Sequence, residues 1–181
     1  MMLSGTNRNV KLRVGVMFVH RFVDIMLVPL MVIHFATLYG AAVTGLLTVV
    51  AAGVAIGATF LGGHLSDVYG RRPTLLVGEI GGFACYAGLV LANSDLWRSG
   101  VATYVFYLLV TALGSIVRPA SDGMIIDVST PEQRPAIYAV NYWATNLAMV
   151  FGSLLGGFLY TGYFFHLLLA AAVLEAGIAV V

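Results

Sequence analysis

The stretch Gly62-Gly63-His64-Leu65-Ser66-Asp67-Val68-Tyr69-Gly70-Arg71-Arg72-Pro73 interrupts two long apolar runs with a carboxylate, a turn glycine and two guanidinium groups. Each part has a mechanical reading. Gly63 is expected to let its helix lie close to a neighbour, Gly70 to supply a turn conformation costly for other residues, and Pro73 to open the next helix. Asp67 falls at a helix C-terminus, where its own helix dipole disfavours it, so it calls for an external positive partner.

Outward from this loop, apolar runs of membrane-spanning length recur. A hydrocarbon core of about 30 Å needs about 20 apolar residues in a helix, and six such runs are predicted at 14–38, 43–65, 74–92, 101–127, 136–160 and 163–181. The run LLLAAAVLEAGIAVV lacks the alternation that a spanning barrel demands, so the spans are helices. The 181 residues are 60% hydrophobic and only 9% charged, far below the roughly 25% charged content of soluble domains. A net charge of +1 excludes a nucleic-acid partner and an acidic disordered tail. Cys85 is the only cysteine, which leaves no disulfide framework and no Cys-rich metal site.

Residues 1–13 read as a cytoplasmic segment and 14–181 as a six-helix bundle. With the N-terminus inside, the inner ends hold Arg8, Lys11, Arg13, Arg71, Arg72 and Arg134, against Arg98 alone outside. The positive-inside bias therefore predicts both termini in the cytoplasm. Small residues four apart at Gly53 and Gly57, Gly78 and Gly82, and Gly152 and Gly156 predict close helix approach. The apolar run reaches Val181 with no basic anchor after it, so the expectation is a truncated chain or half of a larger one.

Gly63, Leu65, Asp67, Gly70, Arg71 and Arg72 resemble motif A of the major facilitator superfamily, which lies in the same inner loop. Asp127 at the end of helix four, the loop Pro131-Glu132-Gln133-Arg134, and Asn146 with Gly152, Gly156 and Gly157 resemble the same family. Met124 to Asp127 and Tyr142 to Leu147 resemble its drug/proton antiporter branch, including the lactococcal multidrug transporter. The resemblance covers the whole chain and implies an all-α membrane protein: two three-helix inverted repeats forming half of a twelve-helix fold. It further implies that Arg71 pairs with Asp127, that Asp67 faces a helix of the other half, and that these contacts latch the outward-facing state. The alternative is that Arg71, Arg72 and Arg134 only set topology.

Ionisable residues deep in a bilayer are costly and normally face a cavity or a partner. Arg21 and Asp24 lie three apart on helix one, Arg118 and Asp122 four apart on helix four, so each pair shares a helix face. At 1.5 Å per residue both arginines lie roughly 10 to 14 Å deep. Helices one and four are equivalent in the inverted repeats, so both pairs are expected to line one solute cavity; the alternative is that each pair satisfies itself. Pro29 and Pro119 free nearby backbone carbonyls and could let these helices bend. Tyr138, Asn141, Tyr142, Trp143 and Asn146 are further cavity-wall candidates. Asn141 stands where the antiporter branch often carries an acid, and an amide cannot titrate.

His20, His34, His64 and His166 show no metal-ligand spacing and read as packing or interfacial residues. Glu79 is expected to reach the inner surface, and Glu175 either to face lipid in protonated form or to turn inward. Tyr39, Trp97, Tyr163 and Phe165 suit an interfacial belt. Neither Gly-x-Ser-x-Gly, His-Glu-x-x-His nor a phosphate-binding Gly-rich loop occurs, which argues against an enzyme or an ATP-driven pump. The expectation is a secondary transporter in a bacterial plasma membrane, using a proton gradient and no bound cofactor or metal to move a small organic solute or drug. Its partners are the solute, the bilayer, and a C-terminal half or second copy. The alternatives are a uniporter or uptake symporter of the same fold, and a non-transporting half-module.

Overall fold

A computed structural model of the chain describes residues 8–179, and the regular elements among them are all α-helices. The helices are α1 (Arg8–Tyr39), α2 (Ala41–Tyr69), α3 (Arg71–Ala92) and α4 (Gly100–Val128), followed by a helical stretch Arg134–Ala179. That stretch breaks at Tyr163, whose φ of −130° and ψ of 23° are not helical. We label its arms α5 (Arg134–Tyr160) and α6 (Gly162–Ile178). The first five are long and apolar enough to cross a membrane, and α6 is a shorter apolar helix.

The helices overrun the expected spans. α1 starts at Arg8 rather than residue 14, α2 continues to Tyr69, and α3 begins at Arg71 rather than residue 74. A backbone hydrogen-bond ladder does not stop where the apolar run stops, so polar ends project beyond the hydrocarbon. Residues 1–7 of the expected cytoplasmic segment lie outside the described residues, as do Val180 and Val181, and so do the side chains of Arg8, Lys11 and Arg13.

Single glycines link the first three helices. Gly40 (φ 79°) joins α1 to α2 and Gly70 (φ 90°) joins α2 to α3. Both occupy the left-handed side of backbone space, where a side chain is strained. A longer link, Asn93–Ser99, leads to α4; Ser99 caps the helix by accepting from the Ala102 N–H, and Asn93 donates to Thr103 Oγ1 at 3.0 Å.

Packing follows a pseudo-twofold pattern. α2 lies against α4 and α5 against α1; α3 packs on α4, as α6 does on α1; α3 and α6 meet at the centre. Exchanging helices one to three with four to six maps these contacts onto one another, as inverted repeats require. The largest buried cluster joins Val23, Met26, Leu30 and Phe35 of α1 to Tyr86 and Leu89 of α3 and to Leu167, Leu168 and Ala171 of α6.

Glycines make the two equivalent crossings close. A Cβ at Gly62 would fall on the Ile116 carbonyl of α4, and one at Gly156 would lie 3.0 Å from the Met26 carbonyl of α1. Gly152 lies similarly against Phe22, and Gly78 faces Val117 of α4. The other expected small-residue contacts do not form within this bundle. Gly53, Gly57, Gly63 and Gly82 meet nothing within 4 Å, because the helices present Gly62, Gly81 and Gly88 to α4 instead.

Gly62→Ala is therefore expected to destabilise the bundle by about 1–3 kcal/mol, read as a lower apparent Tm in detergent. Gly53→Ala, with open space around it, should be neutral or stabilising by up to about 1 kcal/mol through helix propensity. Equal losses from the two would remove the close-approach account.

Candidate functional site

The four charges singled out on α1 and α4 border one cleft. Arg21 and Asp24 enter it from α1, Arg118 and Asp122 from α4, with Glu79 and Tyr86 from α3 and Glu175 from α6. The cleft continues past Arg21, Asp24 and Arg118 along a more apolar wall that includes Pro29, Tyr107, Thr111 and Ser115. Pro29 lies inside α1 and Pro119 inside α4.

The pairs do not satisfy themselves along their own helices. Asp24 Oδ2 instead faces Arg118 Nη2 at 3.8 Å, a contact from α1 to α4. Among the described residues neither Arg21 and Asp24 nor Arg118 and Asp122 form an ion pair within 4.0 Å. Asp24 and Arg118 remain about half exposed in the six-helix bundle, so water or a solute can reach both. Asp122 lies within the electrostatic reach of Arg21 and Arg118.

Below this quartet lies a cluster that sequence reading missed. His20 Nε2 sits 2.9 Å from Glu79 Oε2 and 3.1 Å from Oε1, and its Nδ1 sits 3.2 Å from Glu175 Oε1. His20 is thus not a packing residue. Glu79 does not reach the surface but is buried against His20, and Glu175 is turned inward with only 3% of its area exposed. The three donor atoms lie within 4.8 Å of one another. Both ring nitrogens face carboxylates, so the three side chains form one hydrogen-bonded chain across α1, α3 and α6. The signal was present in the sequence. Glu79 lies eight residues into α3, His20 six beyond Val14, and Glu175 well along α6 from the opposite end, so all three fall at comparable depth.

His34 stacks on Phe164 at 4.4 Å, a packing role as expected, while His64 and His166 are exposed.

At the loop end, the Gly70 turn places Arg71 as the first residue of α3, where its Nη1 donates to Asp127 Oδ2 and to the Gly123 carbonyl. Gly123 makes room for this: a Cβ there would lie 2.7 Å from Arg71 Cζ. Arg134 Nη2 donates to the Ile126 carbonyl at 3.3 Å. Two guanidinium groups thus engage carbonyls near the C-terminal, negative dipole end of α4, Arg134 taking one of the last four that lack an intrahelical partner. Asp67 and Arg72 are exposed, and among the described residues neither has an ion-pair partner.

The α5 candidates stay apart from the cleft. Tyr138, Tyr142 and Trp143 lie on an exposed face, with Trp143 64% exposed, and Asn141 and Asn146 are half-buried. Asn146 Nδ2 donates to the Tyr142 carbonyl of its own helix at 2.8 Å. None of the five borders either part of the cleft.

A sequence profile of the Major Facilitator Superfamily matches residues 14–181. The chain is 31% identical over 175 residues to the "Na(+), Li(+), K(+)/H(+) antiporter" of Planococcus maritimus, covering 97% of this chain and 41% of that protein. It is 32% identical over 141 residues to the "Uncharacterized MFS-type transporter YqjV" of Bacillus subtilis, covering 75% and 32%. A second Bacillus subtilis protein of that description, YttB, is 31% identical over 170 residues, covering 92% and 41%. The chain thus spans about a third to two fifths of the length of the curated relatives it matches. With its apolar helices, its six-helix half-fold and a family match along nearly its whole length, this multi-pass membrane chain belongs to the Major Facilitator Superfamily.

Proposed function

We propose that the chain is the N-terminal half of a secondary transporter that moves a small organic solute or drug by alternating access, exporting it in exchange for protons. The observation that carries this reading is the single cleft bordered by Arg21, Asp24, Arg118 and Asp122 from equivalent helices of the two repeats. Charges of both signs along one cleft give a polar or charged solute a place to bind where lipid gives none. The apolar wall beside Pro29 and Tyr107 suits the carbon skeleton of an amphipathic solute. No covalent chemistry on the solute is required of the chain.

A second reading, exchange of an alkali cation for protons, is favoured by four carboxylates in that cleft, Asp24, Glu79, Asp122 and Glu175, and by the printed function of the Planococcus relative. In either case six helices supply one wall. The other would be a C-terminal six-helix half or a second copy, docked on the exposed apolar faces of α2 and α5, which carry Val49, Ile56, Phe60, Phe151, Leu154 and Phe158. Tyr138, Asn141, Tyr142, Trp143 and Asn146 would then line the boundary with that partner. Asp67 would meet the start of a partner helix, the Arg71–Asp127 pair would hold the cytoplasmic end closed, and the termini would lie in the cytoplasm of a bacterial cell.

The test is flux of a dye and cation panel in vesicles holding this chain with its C-terminal half. Arg21→Gln and Arg118→Gln are each expected to lower solute flux about tenfold or more. Unchanged flux in both would remove the cleft from the transport route.

The closure reading is tested by a double-mutant cycle on Arg71→Gln and Asp127→Asn. A coupling of about 0.5–1 kcal/mol in detergent stability is expected for a half-exposed pair, together with more labelling of a cysteine placed at the cytoplasmic mouth. Additive effects with unaltered labelling would mean that these charges set topology only.

A further inference from the structure

We propose that His20, Glu79 and Glu175 are the site at which the exchanged proton is held and released, separate from the solute-facing charges Arg21, Arg118 and Asp122. The inference deepens the transport reading above and rests on it.

The geometry of the cluster fixes its count of hydrogens. Each ring nitrogen of His20 faces a carboxylate oxygen, at 2.9 Å for Glu79 and 3.2 Å for Glu175. Each contact needs one hydrogen, and a neutral imidazole supplies only one. The second must sit on the ring, giving an imidazolium between two carboxylates, or on one carboxyl, giving a neutral ring between an acid and a carboxylate. Both arrangements hold two protons and one net negative charge. Loss of one proton to cleft water leaves its electron pair behind, sets lone pair against lone pair in one contact, and raises the net charge to minus two. That state is costly in a buried site unless a cation compensates it.

Placement gives the count a consequence. The three side chains come from α1, α3 and α6, which meet at the centre of the bundle, so a change in proton occupancy loosens or tightens the contact between the two repeats. The same three border the cleft, which provides the path to water. Asp24 lies one helical turn from His20 on α1 and faces Arg118. The groups facing the cluster are thus Arg21 and Asp24 from α1, Tyr86 from α3, and Arg118 and Asp122 from α4, with the carboxylates of α3 and α6 inside it. A negative charge gained at the cluster favours positive charge beside Asp24. A cationic solute and the proton therefore compete for one field, and by linkage each weakens the binding of the other.

The experiment uses ethidium as probe in vesicles holding the chain with its C-terminal half. Two fluxes are compared: exchange of labelled for unlabelled ethidium without a gradient, and net flux driven by a pH gradient. Glu79→Gln and Glu175→Gln should each bring driven flux and ethidium-triggered proton release to background while exchange persists at a reduced rate. Driven flux that survives in both variants overturns the proton site and leaves transport standing. Net ethidium flux that requires a Na+ gradient and ignores the pH gradient also overturns it, assigning the cluster to an alkali cation. If the Gln variants do not fold, Glu79→Asp, which keeps the charge and withdraws it from the ring, decides. A shifted pH midpoint of proton release supports the site and an unmoved midpoint overturns it. If the unmodified protein exchanges neither ethidium nor any cation of the panel, the transport reading itself fails and takes this inference with it.

Discussion

Inside hydrocarbon no water takes over when an ionised group loses its partner, and this constraint orders the bundle. Helices already satisfy their own backbones, so what remains to choose their rotation is the need of each buried charge for company. α1 can present His20 to α3 and α6 and Asp24 to α4 only in one rotational setting. α6 can hide Glu175 only by turning that face to the same point. The apolar side chains around them, such as Met31 and Leu168, would pack about as well against lipid tails; the charges would not.

Close backbone approach is the second determinant, and it follows the internal symmetry of the two repeats. Gly62 against Ile116 and Gly156 against Met26 occupy corresponding crossings of the two repeats. Arg21 and Asp24 lie on α1, and Arg118 and Asp122 on α4, the equivalent helix of the second repeat. The repeats are not copies, however. His20 and Glu79 are drawn from the first and Glu175 from the second, so the buried cluster straddles the axis that relates them.

Much of the architecture was legible in the sequence because the bilayer makes hydropathy nearly decisive. The number of helices, the polar loop with its Gly70 turn and the pairing of Arg71 with Asp127 could all be read from residues and motif. Helix ends were misjudged because hydropathy marks where lipid ends, not where a hydrogen-bond ladder ends. The rotation of α2 was misjudged too, since the spacing of Gly53, Gly57 and Gly63 does not say which of several glycines meets a neighbour. In the cleft, helical spacing put Arg21 with Asp24 and Arg118 with Asp122 on shared faces. It could not reveal that Asp24 looks across to Arg118. His20, Glu79 and Glu175 escaped because they lie far apart in the chain, and only equal depth on converging helices unites them.

The connections between helices carry a mechanical consequence. With Gly40 alone between α1 and α2, and Gly70 alone between α2 and α3, the first repeat has no slack: none of its members can slide lengthwise without dragging the next. Spare chain is found at Asn93–Ser99, between the repeats, and again between α4 and α5. Lengthwise adjustment between the repeats is thereby left to the strap at Asn93–Ser99, while α1, α2 and α3 keep their register with one another.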